Sequence, residues 1–460
     1  MLDLISTLIC IRLWVTTADF GTATLAVALF PILDRLGGMN LGAFLIREPD
    51  DESPAGGSRG NGESSVFWLN LGVAAGVLAA LVIGAVLVQA IVASLLAAYG
   101  IRHVVQASSI VPEARMRRAL RFGELSVIRV IAGLVETATK LTLAAAGEPV
   151  WCFAIGPIVN TCVTSIGVQL RERWRPTLAF DRVAAGRAVR FTAALSGGEL
   201  LYYAYTSADY LVIGAAFGAA AVGAYRLAYE MVLDVVKLVS AITAEVAYPV
   251  LATTRDVAGE LVRFTRQNAL ALAPVLVFLA LEADALLAAL YGPLPPAAAT
   301  AARILCVVGA LRISSFVIPP MLAAIGEPRR VLAYQAVAAI VLPASFAIAA
   351  ALGHDFTAVA WGWAAGYPIA FGVLLALALP RVELSLGAYL RPLGRTALCA
   401  IGAALAGVAA RELVDNLFAV AGAVLVVYGA LIAWLEGVTP ASIARAITAR
   451  ARDKAPSPDR

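Results

Sequence analysis

Ionisable residues inside apolar stretches are the part of this chain with the means to do chemistry. An ionised group at the centre of a bilayer costs roughly 2.5–3.5 kcal/mol on insertion scales, so each one needs a partner or wet surroundings. The stretch 219–250 holds Arg226, Glu230, Asp234 and Lys237. On an uninterrupted helix their offsets are about 0, 40, 80 and 20°, which predicts one stripe. The stretch 123–146 holds Arg129, Glu136 and Lys140, at about 0, −20 and +20°. Glu199, Tyr202, Tyr203, Thr206 and Asp209 fall in 190–214, Asp34 and Arg35 in 20–46, Arg12 in 1–16, and Arg303 and Arg312 in 297–322.

Two readings of these charges compete. In one, opposite charges four residues apart, such as Arg226 with Glu230 or Glu136 with Lys140, pair and hold helices together. In the other, the stripes face a wet cavity that passes a polar cargo, as intramembrane charges commonly do. Local pairing does not explain why the first, second, seventh and eighth stretches all carry charge. The eleventh and twelfth carry none beyond Arg330 at an edge. A planar guanidinium gives bidentate hydrogen bonds suited to a diphosphate. Tyr202, Tyr203, Tyr205, Tyr225 and Tyr229 offer hydroxyls and flat faces to sugars, or else mark a membrane interface. Glu199, Asp209, Glu230, Asp234 and Lys237 are candidates to couple transport to an ion or to serve as counter-ions.

The elements that carry these residues are read from composition. The chain has 460 residues, is 61% hydrophobic and only 14% charged, and has a mean hydropathy of +0.85. A soluble protein carries about a quarter charged residues. Fourteen apolar segments lie near 1–16, 20–46, 66–88, 90–112, 123–146, 149–170, 190–214, 219–250, 267–291, 297–322, 330–352, 356–379, 395–411 and 415–436. A crossing needs about 20 residues, so the short first segment predicts a truncated or misassigned start. No cleavable signal peptide is evident, because a basic leader is missing.

Alternate gaps between segments are basic and contain 25 of the 35 Lys and Arg. Short basic loops stay on the cytoplasmic side, which predicts a multi-pass inner-membrane protein with both termini inside. The outside gaps are short and punctuated by Gly and Pro, as turns require. The gap from Arg47 to Ser65 is rich in Gly, Ser and acid and is expected to be disordered. Residues 439–452 suit a short helix on the inner leaflet or a frayed tail.

This organisation predicts an all-α membrane protein in five parts. They are a six-helix lobe at 1–170, a basic cytoplasmic linker at 171–189, a second six-helix lobe at 190–380, two further helices at 381–438 and a basic tail at 439–460. Asp19-Phe20-Gly21 and Ala216-Phe217-Gly218 occupy matching first turns of the two lobes, a faint internal repeat. The five cysteines are all in apolar stretches without metal-ligand spacing, so neither a disulfide framework, a metal nor a cofactor is expected. The net charge of +4 resides in loop arginines and points to lipid contact, not nucleic acid.

Several motifs occur in a characteristic order. They are Ile11-Arg12-Leu13 with Asp19-Phe20-Gly21, Leu41-Gly42-Ala43-Phe44-Leu45-Ile46-Arg47, and Val111-Pro112-Glu113-Ala114-Arg115 with Arg121-Phe122. Trp174-Arg175-Pro176 comes next, then Asp209-Tyr210-Leu211-Val212-Ile213-Gly214, Gly223-Ala224-Tyr225-Arg226-Leu227-Ala228-Tyr229 and Tyr248-Pro249. In this the chain resembles the polysaccharide-type (Wzx-like) lipid-linked oligosaccharide flippases of the multidrug/oligosaccharidyl-lipid/polysaccharide exporter superfamily. The resemblance implies two pseudo-symmetric lobes around a central cavity plus two extra helices. It implies movement of an undecaprenyl-diphosphate-linked oligosaccharide between leaflets by alternating access, with arginines of the first, second and eighth helices lining the cavity. Here those are Arg12, Arg35 and Arg226. A polysaccharide polymerase and export machinery are candidate partners.

A cation-coupled drug exporter of the same superfamily is the alternative, but it favours an acidic cavity and not one bearing arginines. A membrane polymerase or ligase is expected to present a catalytic base on a sizeable outside loop, and the outside gaps are only a few residues long.

Overall fold

The computed structural model describes residues 2–38, 41–47, 59–414 and 416–436, and these form helices and connecting turns with no strand among them. The helices are α1 (Leu2–Leu13), α2 (Thr17–Gly38), α3 (Leu41–Arg47), α4 (Arg59–Val88), α5 (Ile91–Arg118), α6 (Phe122–Ala145), α7 (Cys152–Glu172), α8 (Arg182–Phe217) and α9 (Ala219–Tyr229). They continue with α10 (Val235–Thr253), α11 (Val257–Leu281), α12 (Ala283–Tyr291), α13 (Pro296–Ser315), α14 (Ile318–Ala324), α15 (Pro328–Leu352), α16 (Thr357–Ala378), α17 (Leu386–Leu413) and α18 (Leu417–Glu436). A π-helical turn, Glu230–Asp234, joins α9 to α10.

A bilayer has no water for exposed amides, so each apolar stretch satisfies its backbone as a helix. Among the described residues, eleven helical runs are long and apolar enough to cross a membrane. The protein is therefore a multi-pass membrane protein. Three of the fourteen sequence segments fall outside that set. α1 has 12 residues, α6 is long but interrupted by charge, and the apolar end of α8 is diluted by tyrosines, hydroxyl residues and Asp209. Gly218 and Gly292 turn the chain at φ +83° and +89°, conformations that only glycine adopts freely.

Helices extend beyond the apolar stretches wherever their first turns find caps. Asp181 accepts the Val183 and Ala184 N–H groups at the start of α8, and Asp256 accepts the Gly259 N–H at the start of α11. The expected disorder from Arg47 to Ser65 is corrected in part, because α4 begins at Arg59. There Glu63 is buried and ion-paired with Arg115 on α5, and Ser64 and Ser65 accept the Thr177 and Asp181 N–H groups at 3.0 and 2.6 Å. These interactions give a polar sequence a folded role. Residues 48–58 and the expected surface helix at 439–452 lie outside the described residues.

The chain forms two compact units. The first comprises 1–227, 288–298 and 332–370, and the second 228–287, 299–331 and 371–460. In the first, α1, α2, α5 and α7 close a core around Cys10, Phe20, Leu95, Cys152 and Phe153. Tyr99 spans it, donating to the Phe153 carbonyl at 2.7 Å. A second core joins α3, α4, α5 and α8 to the buried Trp174. In the second unit, α17 and α18 pack with α11 around Cys399, Ala403, Val420, Val424 and Tyr428. Its polar centre is Asn268, which donates to Ser240 Oγ at 2.9 Å and to the Ile313 carbonyl at 3.1 Å.

The repeated Phe-Gly turns are adjacent in space. Near Gly21 the α2 backbone lies against α9, so that an added Cβ overlaps the Ala219 carbonyl, and one at Gly223 overlaps the Thr17 carbonyl. Small residues allow such close crossings between membrane helices. Gly21→Ala or Gly223→Ala is expected to lower the thermal stability of the purified protein by about 1–3 kcal/mol or more, since backbone must move. Gly72→Ala, which meets nothing within 4 Å, is expected to be neutral or slightly stabilising. Equal melting temperatures for all three variants would contradict the close crossing.

Candidate substrate-binding site

In the first unit, α8 presents Tyr202, Tyr203, Tyr205, Thr206, Asp209 and Tyr210 along about two and a half turns. Asp209 is fully buried, and a buried carboxylate is tolerable only with hydrogen-bond donors. It has three: Trp363 Nε1 on α16 at 3.0 Å, the Tyr225 hydroxyl on α9 at 3.1 Å and the Tyr210 N–H at 2.9 Å. The next residue on each helix forms a parallel link. Arg226 donates to the Tyr210 hydroxyl at 2.8 Å, and its guanidinium carbon lies 5.4 Å from the Tyr210 ring centre. Thus Asp209–Tyr225 and Tyr210–Arg226 fasten α8 to α9 and leave Arg226 partly exposed. Tyr202 meets Tyr203 and Tyr205 edge-on at 5.4 and 5.5 Å, and both Tyr202 and Tyr203 are partly exposed. Thr206 gives its proton to the Tyr202 carbonyl at 2.8 Å, so it can offer a ligand only an acceptor. Glu199 lies on the same helix, half-buried.

In the second unit, the hydroxyl of the buried Tyr229 accepts from Arg312 Nη1 at 3.2 Å. Arg312 lies on α13, is 6% exposed and sits 5.9 Å from the Phe316 ring centre. The sequence flags Arg312 as an intramembrane charge, but its pairing with Tyr229 is visible only in the fold. The π turn corrects the expected stripe of four charges. One extra residue in the turn displaces the subsequent side chains by about 100° relative to an uninterrupted α-helix. Lys237 therefore moves from about +20° to about −80° and leaves the line set by Arg226 and Glu230, whereas Asp234, at about −20°, stays beside it. Glu230 and Asp234 are half-buried and Lys237 is exposed.

Arg12 is placed differently. Arg12 ends α1, is exposed, and donates to the Ala288 carbonyl in the last turn of α12 at 3.2 Å, where a cation suits the helix dipole. Arg35 belongs to α2, and its side chain lies outside the described residues. On α6 the charges are divided and do not share one face's environment. Lys140 is buried and pairs with Glu136 at 2.9 Å, with Asn160 donating to the same carboxylate. Arg129 is 55% exposed and reaches Glu113.

One polar cluster has no signature in the sequence. His103 is buried on α5, with Nδ1 3.4 Å from Asp34 Oδ1 and its ring stacked on Phe30 at 5.3 Å. Arg102 also lies over Phe30, 4.6 Å from its ring centre, and donates to Thr161 Oγ1 at 2.9 Å. Phe30 and Asp34 stand four residues apart on α2, and only the pairing of α2 with α5 reveals their partner. Among the described residues, no three His, Cys, Asp or Glu side chains form a group able to hold a metal.

Comparison with known proteins places this geometry in context. The chain is 25% identical to the lipopolysaccharide biosynthesis protein WzxC of Escherichia coli K12 over 252 residues, which is 52% of this chain and 48% of that protein. It is 26% identical to the teichuronic acid biosynthesis protein TuaB of Bacillus subtilis 168 over 204 residues, 43% of this chain and 42% of TuaB. The chain spans about half the length of the curated relatives it matches. Its fold is that of the lipid II flippase MurJ in an inward closed conformation, with a TM-score of 0.75, 12% identity, and 94% and 96% of the two chains covered. A multidrug resistance MATE family transporter matches at a TM-score of 0.60 and 16% identity, with 80% of this chain and 93% of that one covered. The model of the family described as "Polysaccharide biosynthesis protein" matches residues 11–293. That match covers more than half of the chain, and the protein belongs to the polysaccharide biosynthesis protein family.

Proposed function

We propose that the protein is a flippase that carries a polyprenyl-diphosphate-linked oligosaccharide, undecaprenyl-linked in bacteria, across the inner membrane for surface polysaccharide synthesis. The observation that supports this most is the partly exposed Arg226, held against Tyr210 on a fully satisfied Asp209 anchor. A fixed guanidinium within the membrane favours a diphosphate over a cationic drug, and the neighbouring tyrosines give sugars polar and flat contacts. Arg12, Arg35, Tyr202, Tyr203, Thr206 and Tyr229 are the other candidates. The reading makes and breaks no bond. It requires alternating access, with both termini on the cytoplasmic side. The relatives named for lipopolysaccharide and teichuronic acid biosynthesis agree with a polysaccharide cargo.

In a strain lacking the protein, radiolabelled sugar should accumulate in complete lipid-linked units on the inner leaflet while surface polymer is lost. Incomplete units would point to assembly enzymes, and unchanged polymer with restored drug sensitivity to the exporter reading. Arg226→Ala should insert normally yet lower translocation about 10–100-fold, as expected for losing hydrogen bonds to a charged ligand. Arg226→Lys should recover only part, because it lacks the fork. Normal export by a well-inserted Arg226→Ala protein would remove Arg226 from the site.

Asp209 gives a second test, in which we assign it the role of anchor and not of ion coupler. Asp209→Ala strands three donors and should destabilise the protein by about 1–3 kcal/mol. Asp209→Asn keeps an acceptor oxygen for Trp363 and Tyr225, losing only the bond from the Tyr210 N–H, and should retain both fold and translocation at some cost in stability. Loss of transport by a stably folded Asp209→Asn protein would instead make its ionisation part of coupling.

A further inference from the structure

We propose that the cleft bounded by α5, α7 and the chain after α7 binds an anionic phospholipid on the arginine-rich side of the membrane. The cleft has a volume of about 840 Å³ and is lined in part by Ser108, Ile166, Leu170, Arg173, Trp174 and Arg175. This site is separate from the Arg226 set, and the proposal does not depend on the flippase reading.

Charge makes the first argument. Arg115, Arg121 and Arg171, on the neighbouring helix ends, are all paired with Glu63, Glu124 or Glu172. Arg173 and Arg175 are exposed, and neither side chain has an ion-pair or hydrogen-bond partner among the described residues. Two guanidiniums two residues apart with no carboxylate in the cleft lining form a receptor for a phosphate.

Rigidity makes the second. The intervening Trp174 is 7% exposed and packs edge-on against Phe67 at 5.4 Å. Arg173 turns the chain out of α7 with a left-handed φ of 43°. Beyond it, the Thr177 N–H donates to Ser64 Oγ, and the Thr177 carbonyl accepts from Trp68 Nε1 at 2.8 Å. The arginines therefore stand on a pinned segment and not on a free loop.

The apolar wall decides between a lipid and a free anion. Ile166 and Leu170 are 59% and 67% exposed along α7, and Leu178 and Phe180 on the same connection are 91% and 51% exposed. In a membrane protein such side chains are satisfied by hydrocarbon. Basic pockets between helices at a membrane surface take lipid headgroups in this way. The cleft lining has neither a tyrosine nor a carboxylate to hold sugars, which favours a phospholipid over the lipid-linked oligosaccharide.

The test uses the full chain purified in mild detergent. Native mass spectrometry counts retained phosphatidylglycerol and phosphatidylcholine, alongside thermal unfolding with each lipid. The wild type should retain phosphatidylglycerol selectively and gain thermal stability from it. Arg173→Gln/Arg175→Gln should fold normally, because both residues are exposed, and bind it about thirtyfold more weakly, from about 1 kcal/mol for each arginine. Ile166→Ser/Leu170→Ser should weaken the same lipid while leaving any effect of inorganic phosphate unchanged. Equal retention by wild type and the double arginine variant would overturn the proposal. Equal protection by inorganic phosphate alone would make this a small-anion site and overturn it too, as would displacement of phosphatidylglycerol by undecaprenyl diphosphate at equimolar level.

Discussion

Inside a bilayer, a polar group has no water to fall back on, and this constraint shapes nearly every polar contact in the protein. Unsatisfied groups there cost several kcal/mol each, so buried charges survive where the fold supplies partners. Asp209 shows the rule at full strength: complete burial is matched by donors from three helices. Lys140, Glu136 and Asn160 form a smaller version on α6 and α7. Arg12 and Arg411 use another outlet, donating to carbonyls near helix ends, Ala288 and Leu281. The same accounting separates anchors from candidates for ligand contact. Asp209 has its needs met within the protein, whereas Arg226 is held in place and still partly exposed.

Of the two readings of the intramembrane charges, the structure shows local pairing on α6. Pairing describes α6, where Glu136 and Lys140 meet four residues apart as their spacing suggests. Between α8 and α9 the printed links run from helix to helix. Consecutive residues, Tyr225 with Arg226 and Asp209 with Tyr210, reach across to each other, so the orientation of one arginine depends on a buried acid one residue away. An arginine positioned in this manner loses less freedom on meeting a phosphate than one on a mobile chain.

Much of the fold is legible in the sequence because apolarity and helix coincide in a membrane. The stretch 149–170 anticipates Cys152–Glu172, and 415–436 anticipates Leu417–Glu436. The misses have a common cause, which is that helices outlast apolarity when a cap or a buried ion pair supports them. The ninth apolar segment spans 267–291, yet α11 begins at Val257 behind the Asp256 cap, and α4 begins at Arg59 because Glu63 finds Arg115. Of the candidate site, the types and helices of Asp209, Tyr210, Tyr225 and Arg226 are readable from the sequence, and their mutual bonds are not. The π turn at Glu230–Asp234 is not marked by its residue types, since Glu, Met, Val, Leu and Asp all occur in ordinary α-helices. His103 with Asp34, and Arg312 with Tyr229, are tertiary meetings between residues 69 and 83 positions apart.

Arginine abundance reads in the sequence as a single orientation signal, but the structure divides it by partner. Arg115, Arg121 and Arg171 are neutralised by glutamates on adjoining helix ends, a network that ties α4, α5, α6 and α7 together. Such partly exposed pairs contribute little individually, and their significance is in fixing where the helix ends meet. Arg173 and Arg175 stand in the same basic stretch and take no part in it. A chain that supplies acids to Arg115, Arg121 and Arg171 and none to Arg173 and Arg175, beside exposed Ile166 and Leu170, has left a charge to be met from outside the protein. The bilayer surface is the nearest source of anions at that depth, and its hydrocarbon is the natural cover for the apolar wall that accompanies them.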